Sequence, residues 1–140
     1  MSKLVAQLKR HEGVKSHAYK CTANMITVGV GRNIDENGGI GLSDDEINYL
    51  LENDIKRCKQ ELISLSWFID LDSVRQDAIV NLCFNLGLTR LMGFKNAMAA
   101  MAEGDYERAA DEFYDSRWAK QVKSRADEVC EMIRTGRYPE

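Results

Sequence analysis

Glu12, Cys21 and Thr27 fall on one short stretch, with eight residues between the first two and five between the last two. A carboxyl group, a thiol and a hydroxyl in such proximity suit acid-assisted hydrolysis. The carboxyl group gives a proton to a departing oxygen while the other two hold and partly deprotonate a water. Each residue alone has an ordinary alternative. A glutamate at a helix end is usually a surface residue, and a threonine on an alternating strand is a good strand former.

The surrounding residues read His11-Glu12-Gly13, Tyr19-Lys20-Cys21 and Met25-Ile26-Thr27-Val28-Gly29-Val30-Gly31-Arg32. This stretch resembles the catalytic hairpin of the phage-type lysozymes, the glycoside hydrolases that include the T-even phage endolysins. Their signature is Glu, eight residues, Asp or Cys, five residues, Thr, with Cys the minority choice. Further matches follow in the same order: Val74-Arg75-Gln76-Asp77-Ala78, Asn81 to Gly87, Ser116-Arg117-Trp118, Ser124-Arg125-Ala126 and Arg134-Thr135-Gly136. The segment between Arg32 and Ser43 is shorter than in the T-even enzyme, so a trimmed small lobe is expected.

The resemblance implies an α+β, mostly α, lysozyme-like fold, with a small N-terminal β-hairpin lobe, a larger all-helical C-terminal lobe and a cleft between them. Residues 1–140 would form a single domain: 12–42 the small lobe, 43–64 an interlobe helix, and 1–11 with 65–140 the helical lobe. It also implies site residues. Glu12 would be the general acid, with Arg125 paired to its carboxyl group and Asn81 helping to position it. Phe84 and Asn85 would line the saccharide groove, although for Phe84 a core position is an equal alternative, and Arg117 would lie near the peptide stem. Arg32 stands where the T-even enzyme has a histidine, and Asp54 is the candidate for its ion-pair partner.

Glycosidic cleavage passes through an oxocarbenium-like transition state, which requires an acid on the leaving oxygen and a group managing water or the sugar cation on the far face. The C-terminal end of a helix disfavours the ionised form of Glu12, whereas a cation such as Arg125 favours it. Cys21 is read as orienting the attacking water with Thr27, whose hydroxyl accepts one hydrogen bond while donating another. Basic neighbours such as Lys20 would favour its thiolate. A nucleophilic Cys21 and a catalytically silent one are the alternatives.

Composition sets further bounds. The 140 residues, 44% of them hydrophobic, suffice for about one domain. The four cysteines form no CxxC pair and the two histidines are His11 and His17, so no metal site and no cofactor are expected. Cys58, Cys83 and Cys130 fall on apolar positions of helical patterns and are expected to be buried free thiols, as suits a reducing cytosol. Lys9 and Arg10 interrupt the apolar stretch beginning at Leu4, which argues against a secretory signal or a stable membrane association. The protein is therefore expected as a monomer in the host bacterial cytoplasm, acting in the periplasm on peptidoglycan once a holin has opened the inner membrane.

The net charge of −3 conceals an asymmetry: residues 1–32 carry six basic residues against one acid, and residues 117–125 carry four basic residues and no acid. A basic cleft would attract anionic peptidoglycan, while the pI of 5.5 disfavours nucleic acid as a partner. The expected activity is N-acetylmuramidase, with inversion of configuration. A lytic transglycosylase, which needs only the glutamate, and an inactive wall-binding or tail-associated module with the same fold are the rivals.

The elements that must position these residues are legible. Leu4, Val5 and Leu8 mark a first helix ending near Glu12 with Gly13 as cap. Alternation then predicts a hairpin of the segment around Ala18-Tyr19 and residues 25–30, turning near Thr22-Ala23-Asn24, with one more short strand beyond it. Ser43-Asp44-Asp45-Glu46 is a capping box opening a helix over 44–64. Helices are predicted over 72–86, 94–103, 105–115 and 124–134, closed by glycines at 87, 104 and 136.

Overall fold

A computed structural model describes residues 2–140, which form two compact units, one reaching to Leu50 and one running from Leu51 to Glu140. The protein is α+β and mostly α-helical, with one small antiparallel sheet near the N-terminus.

In the first unit, helix α1 (Lys3–Glu12) is opened by Ser2, whose hydroxyl accepts the Val5 N–H at 3.1 Å. It is closed by Gly13 at φ +78°, whose N–H donates to the Lys9 carbonyl. The cap has an extended ψ of 165°, so the chain leaves the helix directly into a strand and Glu12 is the last helical residue. Strands β1 (Lys15–Lys20), β2 (Ile26–Gly29) and β3 (Arg32–Asn33) follow in antiparallel order, with Tyr19 opposite Thr27 and Thr27 opposite Asn33. Thr27 therefore sits on the central strand, and it is buried.

Helix α2 (Asp44–Leu62) starts in the first unit. Its capping box is reciprocal: Ser43 N–H donates to Glu46 Oε1 at 2.8 Å, and Glu46 N–H donates to Ser43 Oγ at 3.3 Å. Glu46 also pairs with Arg32 at 2.7 Å, and Arg32 donates to the Gly41 carbonyl at 3.1 Å. This corrects the expected Arg32–Asp54 pair, since Asp54 is engaged by Arg57 one turn along the same helix. The short chain between Asn33 and Ser43 brings the first turn of α2 to Arg32, so a nearer carboxylate takes the role.

The second unit is helical: the end of α2, then α3 (Ser73–Leu86), α4 (Leu88–Met92), α5 (Lys95–Glu103), α6 (Tyr106–Tyr114), α7 (Arg117–Val122) and α8 (Ser124–Thr135). Helix α3 buries Ala78, Ile79, Val80, Leu82, Cys83 and Leu86 along a broad face and leaves Asp77, Asn81 and Phe84 on the opposite one. Leu91, Met101, Phe113 and Ile133 are fully buried in the same core cluster, and α3 packs against α4 and α8. Arg75 ties the start of α3 to the end of α8: its guanidinium donates to the carbonyls of Ile133 (2.6 Å) and Arg134 (3.1 Å) and lies over the Tyr106 ring. Cys83 and Cys130 are buried as expected. Cys58 is not, because it flanks the core on α2 and keeps part of its surface.

Candidate active site

The three residues of the spacing motif all belong to the first unit, and two backbone features place them. The first is the β2–β3 turn. Gly31 has φ +67°, and a Cβ built on it would lie 2.9 Å from Glu12 Oε2 and 3.3 Å from its Cδ. The carboxyl group of Glu12 thus packs against Gly31, and a side chain there would be strained at that φ and would push the carboxyl group aside.

The second is the Met25 carbonyl oxygen. It accepts the backbone N–H of Cys21 at 3.0 Å and the hydroxyl of Thr27 at 2.9 Å. One oxygen therefore fixes the other two members of the motif. With its proton directed at Met25, the Thr27 oxygen keeps lone pairs with which to accept a hydrogen from a water. The Cys21 thiol is held below the ordinary thiol pKa, chiefly by the amide N–H groups of Met25 and Ala23. The sequence had suggested basic neighbours as the cause; the hairpin turn supplies backbone dipoles instead. Asn24 takes φ +63° in that turn, and its N–H donates to the Cys21 carbonyl at 2.8 Å.

In the second unit, Asn81 and Arg125 are brought together: Arg125 Nε donates to Asn81 Oδ1 at 2.9 Å and its Nη2 to the Asn81 carbonyl at 3.3 Å. They line an open hollow with Phe84, Lys59, Asp77 and Tyr138. Phe84 keeps 45% of its surface exposed, so it faces the hollow and not the core. The Tyr138 hydroxyl donates to Asp77, which raises the Tyr138 pKa. Asn85 does not line this hollow; its Oδ1 accepts the Trp118 indole N–H at 2.8 Å. Arg117, exposed at the start of α7, also lies outside it.

Sequence reasoning passed over Gly31 and Asp35. Gly31 was visible as a glycine, but its contact with Glu12 is not a sequence pattern. Asp35 is buried and accepts the N–H groups of Ile26 and Asn37, each at 2.9 Å. The run Asn33-Ile34-Asp35-Glu36-Asn37-Gly38-Gly39 has the composition of side-chain-to-backbone turns and was the available signal.

A glutamate closing the first helix, a three-stranded sheet beside a thiol and a hydroxyl, and an all-helical second unit together define a lysozyme-like α+β protein. The sequence agrees: the phage lysozyme family model matches residues 9–135. The chain belongs to the phage lysozyme family, and so to the lysozyme-type glycosidases. It is 28% identical to Probable T4-type lysozyme 2 of Dictyostelium discoideum, covering 100% of this chain and 98% of that protein. It is 30% identical to the endolysin of Acyrthosiphon pisum secondary endosymbiont phage 1, over 81% of this chain and 75% of that one. It is also 28% identical to the pre-baseplate central spike protein Gp5 of Enterobacteria phage T4, over 95% of this chain but only 28% of Gp5.

Proposed function

We propose that the protein is an endolysin: an N-acetylmuramidase that hydrolyses the β-1,4 bond between N-acetylmuramic acid and N-acetylglucosamine in bacterial peptidoglycan and lyses the host at the end of phage infection. The observation that carries this reading is the common scaffold of Glu12, Cys21 and Thr27, set by Gly31 and Met25 on the two ends of strand β2. Glu12 gives its proton to the glycosidic oxygen as the C–O bond breaks. A water held by Thr27 and Cys21 attacks the oxocarbenium-like carbon from the other face, passing its proton to the Cys21 thiolate. Solvent then returns both groups to their starting states, and the configuration is inverted. Neither metal nor cofactor enters this scheme.

Phe84, with Asn81 and Arg125 beside it in the hollow, is assigned to saccharide binding, and Asn85 and Arg117, outside the hollow, to contacts further along the saccharide and with the peptide stem. Apolar ring surface beside a few fixed polar groups is the usual composition of a sugar-binding hollow. Among the described residues no helix is long and apolar enough to cross a membrane. The proposed route to the wall is a holin-made opening from the host cytoplasm to the periplasm, taken by a monomer.

A second reading has one observation in its favour. The likeness to Gp5 of phage T4 admits a tail-associated lysozyme domain. Mass spectrometry of muropeptides released from purified sacculi separates the chemical possibilities. Products ending in reducing muramic acid are expected. Dominant 1,6-anhydromuramic products would transfer the protein to the lytic transglycosylases, and no release at all would leave a binding module.

A further inference from the structure

The Met25 carbonyl that holds Cys21 and Thr27 has a second end. Across the planar peptide bond it is joined to the Ile26 N–H, and that N–H donates to Asp35 Oδ2 at 2.9 Å. Asp35 is itself fixed on every side. Its Oδ1 accepts the Asn37 N–H at 2.9 Å, its own N–H donates to Asn33 Oδ1 at 3.0 Å, and its carbonyl accepts the Gly39 N–H at 2.8 Å. Gly39 packs so closely that a Cβ there would lie 2.5 Å from the Asp35 carbonyl oxygen and 2.6 Å from Asn33 Oδ1. The neighbouring Ile34 N–H returns to the Ile26 carbonyl at 2.9 Å, so the loop is stitched to both ends of Ile26.

We propose that Asp35 is a positioning residue for the hydrolytic site, acting through the Met25–Ile26 peptide plane to fix Cys21 and Thr27 in the orientation that holds the attacking water. Two physical effects combine. A rigid amide gripped at its N–H by a buried carboxylate cannot rotate, so the carbonyl at its other end stays aimed at the Cys21 N–H and the Thr27 hydroxyl. A carboxylate accepting that N–H also polarises the amide, which strengthens the bonds its oxygen accepts and keeps the Thr27 proton on Met25. Thr27 is then an acceptor towards water, the polarity that makes the water more nucleophilic. The carboxyl group of Asp35 is held below the usual carboxylate range, first by the Ile26 amide and then by that of Asn37, so it is ionised at neutral pH.

This inference rests on the reading of Cys21 and Thr27 as water-holding groups, and its test uses a readout that does not depend on catalysis. The rate of Cys21 alkylation by iodoacetamide is followed against pH by peptide mass spectrometry. Wild type is compared with Asp35→Ala, Asp35→Asn and, as a variant weakened elsewhere, Ile133→Val. Wild type should titrate below a free thiol. Asp35→Ala should rise towards the free-thiol value of about 8.5 as the turn that presents the Met25 and Ala23 amides loosens, with kcat lowered more than about tenfold and KM within about threefold. Asp35→Asn, which keeps one acceptor but opposes a donor to one of the two amides, should fall between them and covers the case in which the alanine variant does not fold. Ile133→Val should follow wild type. Folded Asp35 variants whose Cys21 profile superimposes on wild type would overturn the proposal. A fully active Cys21→Ala would instead overturn the water-holding reading and leave an Asp35-dependent thiol shift standing.

Discussion

Cys21 stands where the family resemblance implies a carboxylate more often, and the hairpin turn surrounds its thiol with backbone N–H groups. Backbone N–H groups converge on it and favour the thiolate, whereas burial pushes the Cys83 thiol up to about 12 and the Cys130 thiol up to about 11. Iodoacetamide should therefore label Cys21 well before those two, with an apparent pKa below that of a free thiol, and a saccharide ligand should protect it. Cys21→Ala should cost well over about tenfold in activity, within the range for losing acid–base assistance. Cys21→Asp should keep substantial activity because a carboxylate accepts from the same amides and the same water. A Cys21→Ala enzyme as active as wild type would make the thiol a bystander. The residue types and their spacing were sufficient to single out Glu12, Cys21 and Thr27 as one candidate set. They were silent about Gly31 and Asp35, because a missing Cβ and a buried carboxylate act through contacts made only after the loop closes.

At the scale of elements, the Arg32–Glu46 pair closes the chain from the sheet onto the first turn of α2. Arg32 and the Ser43 backbone hold the Glu46 carboxyl group at about 2, well below the usual range. A carboxylate whose folded pKa is depressed adds stability above its unfolded value, about 4.3, and loses it as pH falls through the folded value. Arg32→Met should therefore be less stable than wild type at neutral pH, and the difference should shrink as pH drops from about 4.3 towards 2. Thermal melts of both proteins across that window check this, and a pH-independent gap would contradict it. The partner itself was misread in the sequence: Asp54 stood in the place the family suggested, but loop length decides which carboxylate is near. Helices announced by caps and apolar periodicity were legible to within two residues at their ends. Helices α4 and α7, five and six residues long, were not, since so few residues show no periodicity. The burial of Cys58 was overestimated because a helical pattern gives the face of a residue, not how far the next element covers it.

For the whole molecule, the family and the mostly α-helical fold were legible because motifs recur in order along nearly the entire chain, and the family match over residues 9–135 rests on the same signal. The proposed cellular role requires an opened inner membrane. Expressed alone in bacteria, the protein should accumulate without lysing its host until the inner membrane is opened by a holin or by solvent. Prompt lysis without either would reveal a route of export. The central claim is that Glu12 is the general acid of a wall hydrolase. It is tested most directly by the fall in turbidity of outer-membrane-permeabilised bacteria, with purified wild type beside Glu12→Gln. The amide preserves the packing on Gly31 and removes only the proton to be given. The variant should remain folded and lose about 10²- to 10⁴-fold in rate, whereas a folded Glu12→Gln within about threefold of wild type would contradict the assignment.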